Sequence, residues 1–325
     1  MNKKVFLIFI TIFCYQFSQA QIETNYDHCN CKEIINYSDN DDSIKNGEYV
    51  LNCDNSLIEK GNYKNGNKDG LWTVKNEKGK IVSKIEFNEG KLHGSYELFN
   101  YEGNPKLKAE FTDNQPVGEW KYFNDKGKVI KQGKYENGKP KGTWNVYDKK
   151  GKKVIAGYDF DNNKSLISTN SKIKNSYLPR DNESGEYIII YYPNRKHLTN
   201  NTPFEGNIVS NKEFIDLLNV PFVLMNTFTK YDFKIRAKVN EGNLIIENID
   251  YFQNINYDSN IISFPYIAQT NSPKKIKKIN HSELTINKMK ERIFETLMVL
   301  GPWVSNTNDS FEIHVPFVLN KIKGI

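Results

Sequence analysis

Histidine and carboxylate side chains could carry acid–base or metal chemistry in this chain, depending on their spacing. The five histidines are His28, His93, His197, His281 and His314. None pairs with another at metal-ligand spacing, and we expect His93 and His314 to be surface residues. The pair Asp41 and Asp42 has polar neighbours, which favours a solvated loop over catalysis. No nucleophile elbow or phosphate-binding glycine loop occurs. The sequence predicts no catalytic residue, no metal site and no cofactor.

The first twenty residues have the composition of a secretory signal peptide. Lys3 and Lys4 precede an apolar stretch, and Ser18-Gln19-Ala20 resembles a cleavage site. The stretch is shorter than the roughly 20 residues that a membrane span needs. We expect an exported protein, in the periplasm, at the cell surface or secreted, without a transmembrane segment once the leader is removed.

Three cysteines remain after such cleavage, and export permits a disulfide. A bond between Cys29 and Cys31 is disfavoured, because a spacing of two residues strains its geometry. Cys53 is therefore expected to pair with Cys29 or with Cys31.

Composition excludes several classes of protein. The chain has 325 residues, 38% of them hydrophobic, and 13% aromatic, while its mean hydropathy is −0.66. These values exclude a polytopic membrane protein and favour about two folded domains. The net charge of +6 comes from lysines interleaved with acidic residues, so we expect no nucleic-acid partner. The one compact basic run, 273–278, is expected to be a solvated loop.

An internal repeat of about 24 residues occupies residues 47–163. In each unit a glycine is followed two positions later by an aromatic residue, and further glycines follow at turn positions. Alternation of aromatic and charged residues predicts short strands joined by hairpin turns that hold the glycines. Stacked units would bury the aromatic row in a single-layer sheet. The repeat-defining residues are Gly70, Trp72, Gly94, Tyr96, Gly118, Trp120, Gly142 and Trp144.

The repeat resembles the MORN repeat in its longer bacterial, YwqK-like variant. The matching segments include Gly133–Gly138 with Lys141–Trp144, and Gly61–Gly66 with Asp69–Trp72. The resemblance implies a meandering β-sheet used for protein or lipid contact, and no catalytic residue.

The C-terminal part has a different pattern. Residues 164–204 are expected to form a linker with one strand near Glu186–Tyr192, and 21–46 a separate Cys-containing segment. From 205 to 325, alternation and apolar stripes predict helix, strand, strand, helix and strand, a small α+β domain with one sheet. The fold class is thus mainly β, an N-terminal single-layer antiparallel hairpin array followed by a small α+β domain.

Residues 205–320 resemble the C-terminal domain of TonB-like proteins, through Glu205-Gly206, Gly301-Pro302-Trp303 and the last strand. The resemblance implies an exposed edge strand that accepts an extended peptide. The candidate edge consists of Phe311, Ile313, Val315, Phe317 and Leu319.

Together these features predict an exported, non-enzymatic interaction or scaffold protein of the bacterial cell envelope. Its partner is expected to be a protein of unknown identity. The alternatives are a TonB-like peptide-docking partner of an outer-membrane protein, or a repeat protein that binds an envelope glycan or an anionic lipid surface.

Overall fold

A computed structural model gives the fold of this chain. It describes residues 21–26, 31–38, 41–54, 56–167, 178–181, 186–190, 214, 217–218, 231–252, 262–263, 266–270, 283–305 and 308–321. The leader, Cys29 and the basic run 273–278 lie outside the described residues.

The molecule is mainly β, as the sequence predicts, and its largest element is a 13-stranded antiparallel sheet in which every strand pairs with its neighbours in the chain. The strands are β1 (Gln21–Tyr26), β2 (Cys31–Ser38), β3 (Asp41–Cys53), β4 (Ser56–Lys64), β5 (Asn67–Lys75), β6 (Ile81–Asn88), β7 (Lys91–Phe99), β8 (Pro105–Thr112), β9 (Gln115–Phe123), β10 (Val129–Glu136), β11 (Lys139–Tyr147), β12 (Val154–Asp159) and β13 (Lys164–Ile167).

The sheet extends past both expected ends of the repeat. On one side, β1, β2 and the start of β3 come from the segment before Gly47; on the other, β13 follows Asn163. An open sheet edge exposes unpaired backbone groups, so further strands can add to a hairpin array even where the sequence repeat has faded. The repeat period therefore marks the regular centre of the sheet and not its limits.

The glycines that define the repeat lie inside strands, while the other glycines of each unit, such as Gly66, Gly127 and Gly138, lie in the turns. Gly70, Gly94, Gly118 and Gly142 have φ angles of 69°, 95°, 68° and 61°. The strand register shifts beside each of them, with two extra residues on the glycine-bearing strand. A left-handed residue at an irregularity of this kind favours glycine. The glycines therefore bend the strand just before each buried aromatic residue.

One row of turns between the strands is built on asparagine side chains. The Oδ1 atom of Asn76 accepts hydrogen bonds from the backbone N–H groups of Lys78 and Lys80. Asn100 and Asn124 repeat this arrangement 24 and 48 residues later. Such side-chain bonds replace the missing backbone partners of a tight turn.

The C-terminal part contains two smaller sheets and a helix. Its elements are β14 (Leu178–Asp181), β15 (Glu186–Ile190), β16 (Tyr231–Asn240), β17 (Asn243–Phe252), β18 (Ile262–Ser263), β19 (Tyr266–Thr270), α1 (Glu283–Val299), β20 (Trp303–Ser305) and β21 (Phe311–Lys321). One sheet has the order β14-β15-β20; the other has the order β17-β16-β21-β18, and β19 also pairs with β21. The expected linker thus contributes strands β13, β14 and β15.

The two parts of the chain share one hydrophobic core. A single cluster of buried residues joins the large sheet, α1 and the sheet of β16, β17 and β21. Met289, Ile293 and Leu297 of α1 are fully buried in it, and α1 contacts β17. We call the face of the large sheet that carries Trp72, Tyr96, Trp120 and Trp144 the inward face, and the opposite one the outward face.

Candidate functional site

The inward face is a regular grid in which side-chain volumes on neighbouring strands compensate each other. A Cβ atom on Gly61 would lie 2.2 Å from Trp72, and one on Gly133 would lie 2.1 Å from Trp144. In the units between, the equivalent residues are Ile85 beside Tyr96 and Ala109 in the unit of Trp120. The large indoles of Trp72 and Trp144 thus lie next to glycine, and the smaller ring of Tyr96 lies next to Ile85, as close packing requires.

One inward position varies in chemistry from unit to unit. Residues Glu59, Ser83, Leu107 and Lys131 are 24 residues apart, and all four are buried. Their polarity changes from acidic in the first unit to basic in the last. A buried charge needs a partner, so the two ends of this row must face groups of opposite charge.

Helix α1 supplies the partner at the acidic end. Lys288 Nζ lies 3.1 Å from Glu59 Oε2 and 3.7 Å from Glu33 Oε1, and it donates a hydrogen bond of 2.7 Å to the hydroxyl of Tyr49. That hydroxyl donates in turn to Glu33 at 2.7 Å. These three residues of β2, β3 and β4 therefore enclose one lysine of the helix.

The next turn of the helix continues the charged contact. Lys68 of β5 lies 3.2 Å from Glu291 and 3.7 Å from Glu295, and Arg292 lies 2.8 Å from Glu295. With 3.6 residues per turn, positions 288, 291, 292, 295 and 299 fall on one face of the helix, roughly 100° wide. This charged face lies opposite the stripe of Met289, Ile293 and Leu297.

Lys131 and Tyr122 hold the far end of the helix. The Tyr122 hydroxyl donates to the carbonyl oxygens of Val299, at 2.9 Å, and Gly301, at 3.2 Å. Lys131 Nζ donates to the Gly301 oxygen at 2.5 Å. The last carbonyls of a helix lack intrahelical partners and carry partial negative charge. The basic end of the variable row thus meets the negative end of the helix, and the order of charges fixes the direction in which α1 crosses the strands.

The turn of the β16–β17 hairpin completes the contact at the other end of the sheet. The side chain of Asn243 donates to the carbonyl oxygen of Gly138, and Lys139 lies 2.7 Å from Glu241. The backbone N–H of Trp303 donates to the oxygen of Gly242 at 2.9 Å. We name the inward surface from β2 to β11 the helix cradle.

The charged contact has a consequence for acid stability. Burial by itself would raise the pKa of Glu59, but Lys288, Arg292 and Lys68 outweigh it and lower that pKa from 4.5 to about 2. Because the pKa of Glu59 is lower in the folded than in the unfolded state, the ionised side chain stabilises the fold at pH values above its unfolded pKa. That contribution to the free energy of unfolding is lost as the pH falls toward 2. We expect the free energy of unfolding to fall less steeply between pH 4.5 and 2 in Glu59→Gln than in the wild type. Urea unfolding at a series of pH values measures both slopes; equal slopes would contradict the pairing of Glu59.

The disulfide lies beside the helix cradle. The two sulfur atoms of Cys31 and Cys53 are bonded, and these residues face each other in the register of β2 and β3. Of the two pairings that the sequence leaves open, this is the one present. The bond links the strands that carry Glu33 and Tyr49.

The expected edge strand is in the middle of its sheet, so the prediction of an exposed edge was wrong. On one side, Phe311 to Phe317 of β21 pair with β16. On the other side, β18 pairs with Ile313 and His314, and β19 pairs with residues 317–321, including Leu319. The side chains of Phe311, Ile313, Val315 and Phe317 are buried. Alternation along the chain identified the strand, but it carries no information on which strands flank it, and the segment after β17 supplies the covering strands.

His314 is also buried, contrary to its expected place at the surface. Its Nδ1 lies 2.8 Å from Asp232 Oδ2 and its Nε2 lies 2.5 Å from Glu312 Oε1. Lys234 approaches Glu312 to 3.9 Å. Burial of this histidine is tolerated because a charged side chain lies beside each ring nitrogen. The sequence pattern does not show these neighbours, so the prediction of a surface residue was wrong.

The His314 site predicts a second pH dependence. Burial would lower the pKa of His314, but the hydrogen bonds and charges of Asp232 and Glu312 outweigh it, and the pKa is raised above 6.5. The added stability is complete below pH 6.5 and is lost as pH rises through the folded pKa. We expect His314→Gln to remove this loss, measured by thermal unfolding from pH 6 to 9. His93, whose side chain is 43% exposed, serves as control: if His93→Gln flattens the profile equally, the assignment to His314 fails.

Within the described residues, no three His, Cys, Asp or Glu side chains are grouped so that they could hold a metal ion. Among the helices that the structure describes, none is long and apolar enough to cross a membrane.

The outward face carries two parallel rows of exposed or half-buried side chains, and a row of turns borders them. Phe99, Phe123 and Tyr147 alternate along their strands with the buried residues Leu98, Tyr122 and Val146, and we call them the aromatic row. A lysine-rich row crosses the strands beside it, in the order Lys84, Glu97, Lys108, Lys121, Gln132 and Asn145. The turns built on Asn76, Asn100, Asn124 and Asp148 form the third row, the turn row. None of the aromatic row belongs to the hydrophobic core cluster.

Comparison with known proteins identifies no family for this chain. No protein-family model matches the sequence, and no curated protein matches it. Two solved structures that it resembles are those of S. aureus TarM and of a TarM mutant crystallised with Fondaparinux, alpha-GlcNAc-glycerol and UDP, at 19% and 18% sequence identity. Each match has a TM-score of 0.22 and covers 33% of this chain and 23% of TarM. Superposition at that score supports neither a shared fold nor a shared activity, and this chain spans less than a quarter of TarM.

Proposed function

We propose that this chain is an exported, non-enzymatic interaction protein of the bacterial cell envelope. One observation carries the proposal: the repeat sheet uses its inward face to hold the chain's own C-terminal part, through the Lys288 contacts and the bonds from Tyr122 and Lys131. We assign the partner to the opposite, outward face of the same sheet. The leader-like residues 1–20 support export, and the MORN-like sequence pattern supports a binding role.

The pairing of β21 argues against the alternative in which this strand docks an extended peptide. Because β21 is paired on both sides, the C-terminal sheet does not offer that strand to an extended peptide. A structural role would then explain the TonB-like sequence pattern, since α1 and the β16–β17 hairpin both contact the helix cradle.

Affinity capture tests the proposal directly. The whole chain from residue 21 onward is immobilised and exposed to solubilised envelope material, and the bound components are identified by mass spectrometry. The outward-face variant Lys84→Glu/Lys108→Glu is compared with Glu241→Gln, which changes an exposed pair away from that face. We expect the first variant to lose a component that the second retains. Equal capture by both, or turnover of an envelope substrate that a point mutation abolishes, would contradict the proposal.

Export has its own test. We expect the N-terminus of the protein recovered from cells to be Gln21. Recovery of the intact Met1 terminus from the cytoplasmic fraction would contradict it.

A further inference from the structure

The aromatic row has a regular spacing that a linear polymer can match. Phe99, Phe123 and Tyr147 occupy the same position in successive units, two strands apart. Neighbouring strands lie about 4.8 Å apart, so the rings repeat at about 10 Å. One disaccharide of an extended β-linked glycan has about this length.

The chemistry of the row suits the apolar faces of sugar rings. Each ring is half-buried and is held by its strand, so it offers a fixed surface at little cost in side-chain entropy. Beside the rings, Gln132 and Asn145 carry side-chain amides, and the Gln132 amide donates to the Tyr147 hydroxyl at 2.7 Å. Aromatic faces with adjacent amides can contact both the C–H groups and the hydroxyls of a sugar.

The charge beside the row favours an acidic polymer. The turn segments 76–80, 100–106, 124–128 and 148–153 contain nine lysines and four acidic residues. On the other side, Lys84, Lys108 and Lys121 share the lysine-rich row with one acid, Glu97, and Lys121 also pairs with Glu119 of its own strand at 2.7 Å. Some of these lysines form exposed ion pairs, such as Lys108 with Glu97, and such pairs are weak enough to open for a ligand.

We propose that the aromatic row binds a linear acidic glycan whose repeating unit is a disaccharide with one carboxylate. Each ring stacks on one disaccharide, and each carboxylate lies between the lysine-rich row and the turn row. The sheet twist turns successive rings by roughly 45° over two strands, which a soluble chain follows by rotation about its glycosidic bonds. This inference rests on the proposed function, because it assigns a ligand class to the outward face.

Calorimetric titration of the chain from residue 21 onward with hyaluronan oligosaccharides tests the inference. Hyaluronan is a probe with one carboxylate per disaccharide. We expect affinity to rise up to six sugars, one disaccharide per ring, and then to level off. Phe123→Ala is expected to weaken binding about three- to tenfold, and Phe123→Tyr to preserve it. The matched control is Leu71→Ala, which removes an apolar side chain that is 51% exposed and lies outside the row. Thermal unfolding verifies that each variant is folded.

Three results would overturn the inference: no binding of the six-sugar probe, equal losses in Phe123→Ala and Leu71→Ala, or tighter binding of single-stranded DNA or of anionic lipid vesicles than of the glycan. An uncharged chitin hexamer that binds as well as hyaluronan would refute the acidic ligand class. If the glycan fails while an envelope protein is captured and lost in Lys84→Glu/Lys108→Glu, only this inference falls and the proposed function stands.

Discussion

Replacing Lys288 with glutamate is expected to lower the free energy of unfolding by about 3–5 kcal/mol, since it leaves buried carboxylates without their counter-charge. Lys288 contacts Glu33, Glu59 and Tyr49 at once, and both carboxylates are buried. The variant would place a third carboxylate among them. Chemical denaturation at neutral pH measures the loss.

The matched control for this variant is a lysine in an exposed pair of the same sheet. Lys60 and Glu48 form an ion pair in which both side chains are about half exposed. Lys60→Glu is expected to change stability by at most about 1 kcal/mol. If the two charge reversals have the same effect, Lys288 is not held in the helix cradle.

The second large effect is expected at Gly133, where an added isoleucine side chain would overlap Trp144. The Cβ atom alone would lie 2.1 Å from the indole, and overpacking of this degree costs about 3 kcal/mol or more. The backbone at Gly133 does not have a left-handed φ, so the cost is steric. Thermal and urea unfolding of Gly133→Ile measure it.

An earlier unit of the repeat indicates which second substitution should rescue that variant. The second unit holds Ile85 beside Tyr96 at the equivalent positions. The double variant Gly133→Ile/Trp144→Tyr copies that pair, and we expect it to recover at least half of the lost stability. A double variant as unstable as Gly133→Ile would refute volume compensation between neighbouring strands.

Local signals in the sequence predicted much of this fold. Alternation of aromatic and charged residues located the strands of the repeat, and the stripe of Met289, Ile293 and Leu297 located α1. Its end at Gly301-Pro302 also agrees with the structure. These features depend on residues close in the chain, so a single sequence carries them. The resemblances to MORN and TonB-like proteins remain predictions.

The helix cradle could not be predicted in the same way, because it depends on contacts between residues more than 100 positions apart in the chain. Lys288, Arg292 and Glu295 look like a solvated helix face, since Lys and Glu are common on exposed helices. One signal was available in the sequence. Most inward positions of the repeat are apolar, but one of them carries opposite charges in the first and last units, as Glu59, Ser83, Leu107 and Lys131. The pairing of β21 on both sides was equally beyond the sequence pattern, because alternation does not specify the neighbours of a strand.

Zero-length carbodiimide cross-linking of the monomeric protein, followed by peptide mass spectrometry, tests most directly whether the C-terminal part covers the inward face. Lys139 with Glu241 and Lys68 with Glu291 are close enough to form amide bonds between the two parts. We expect both cross-linked peptides in the monomer, together with the Lys60–Glu48 link within the sheet as the internal standard. Recovery of the standard without either link between the parts would contradict it.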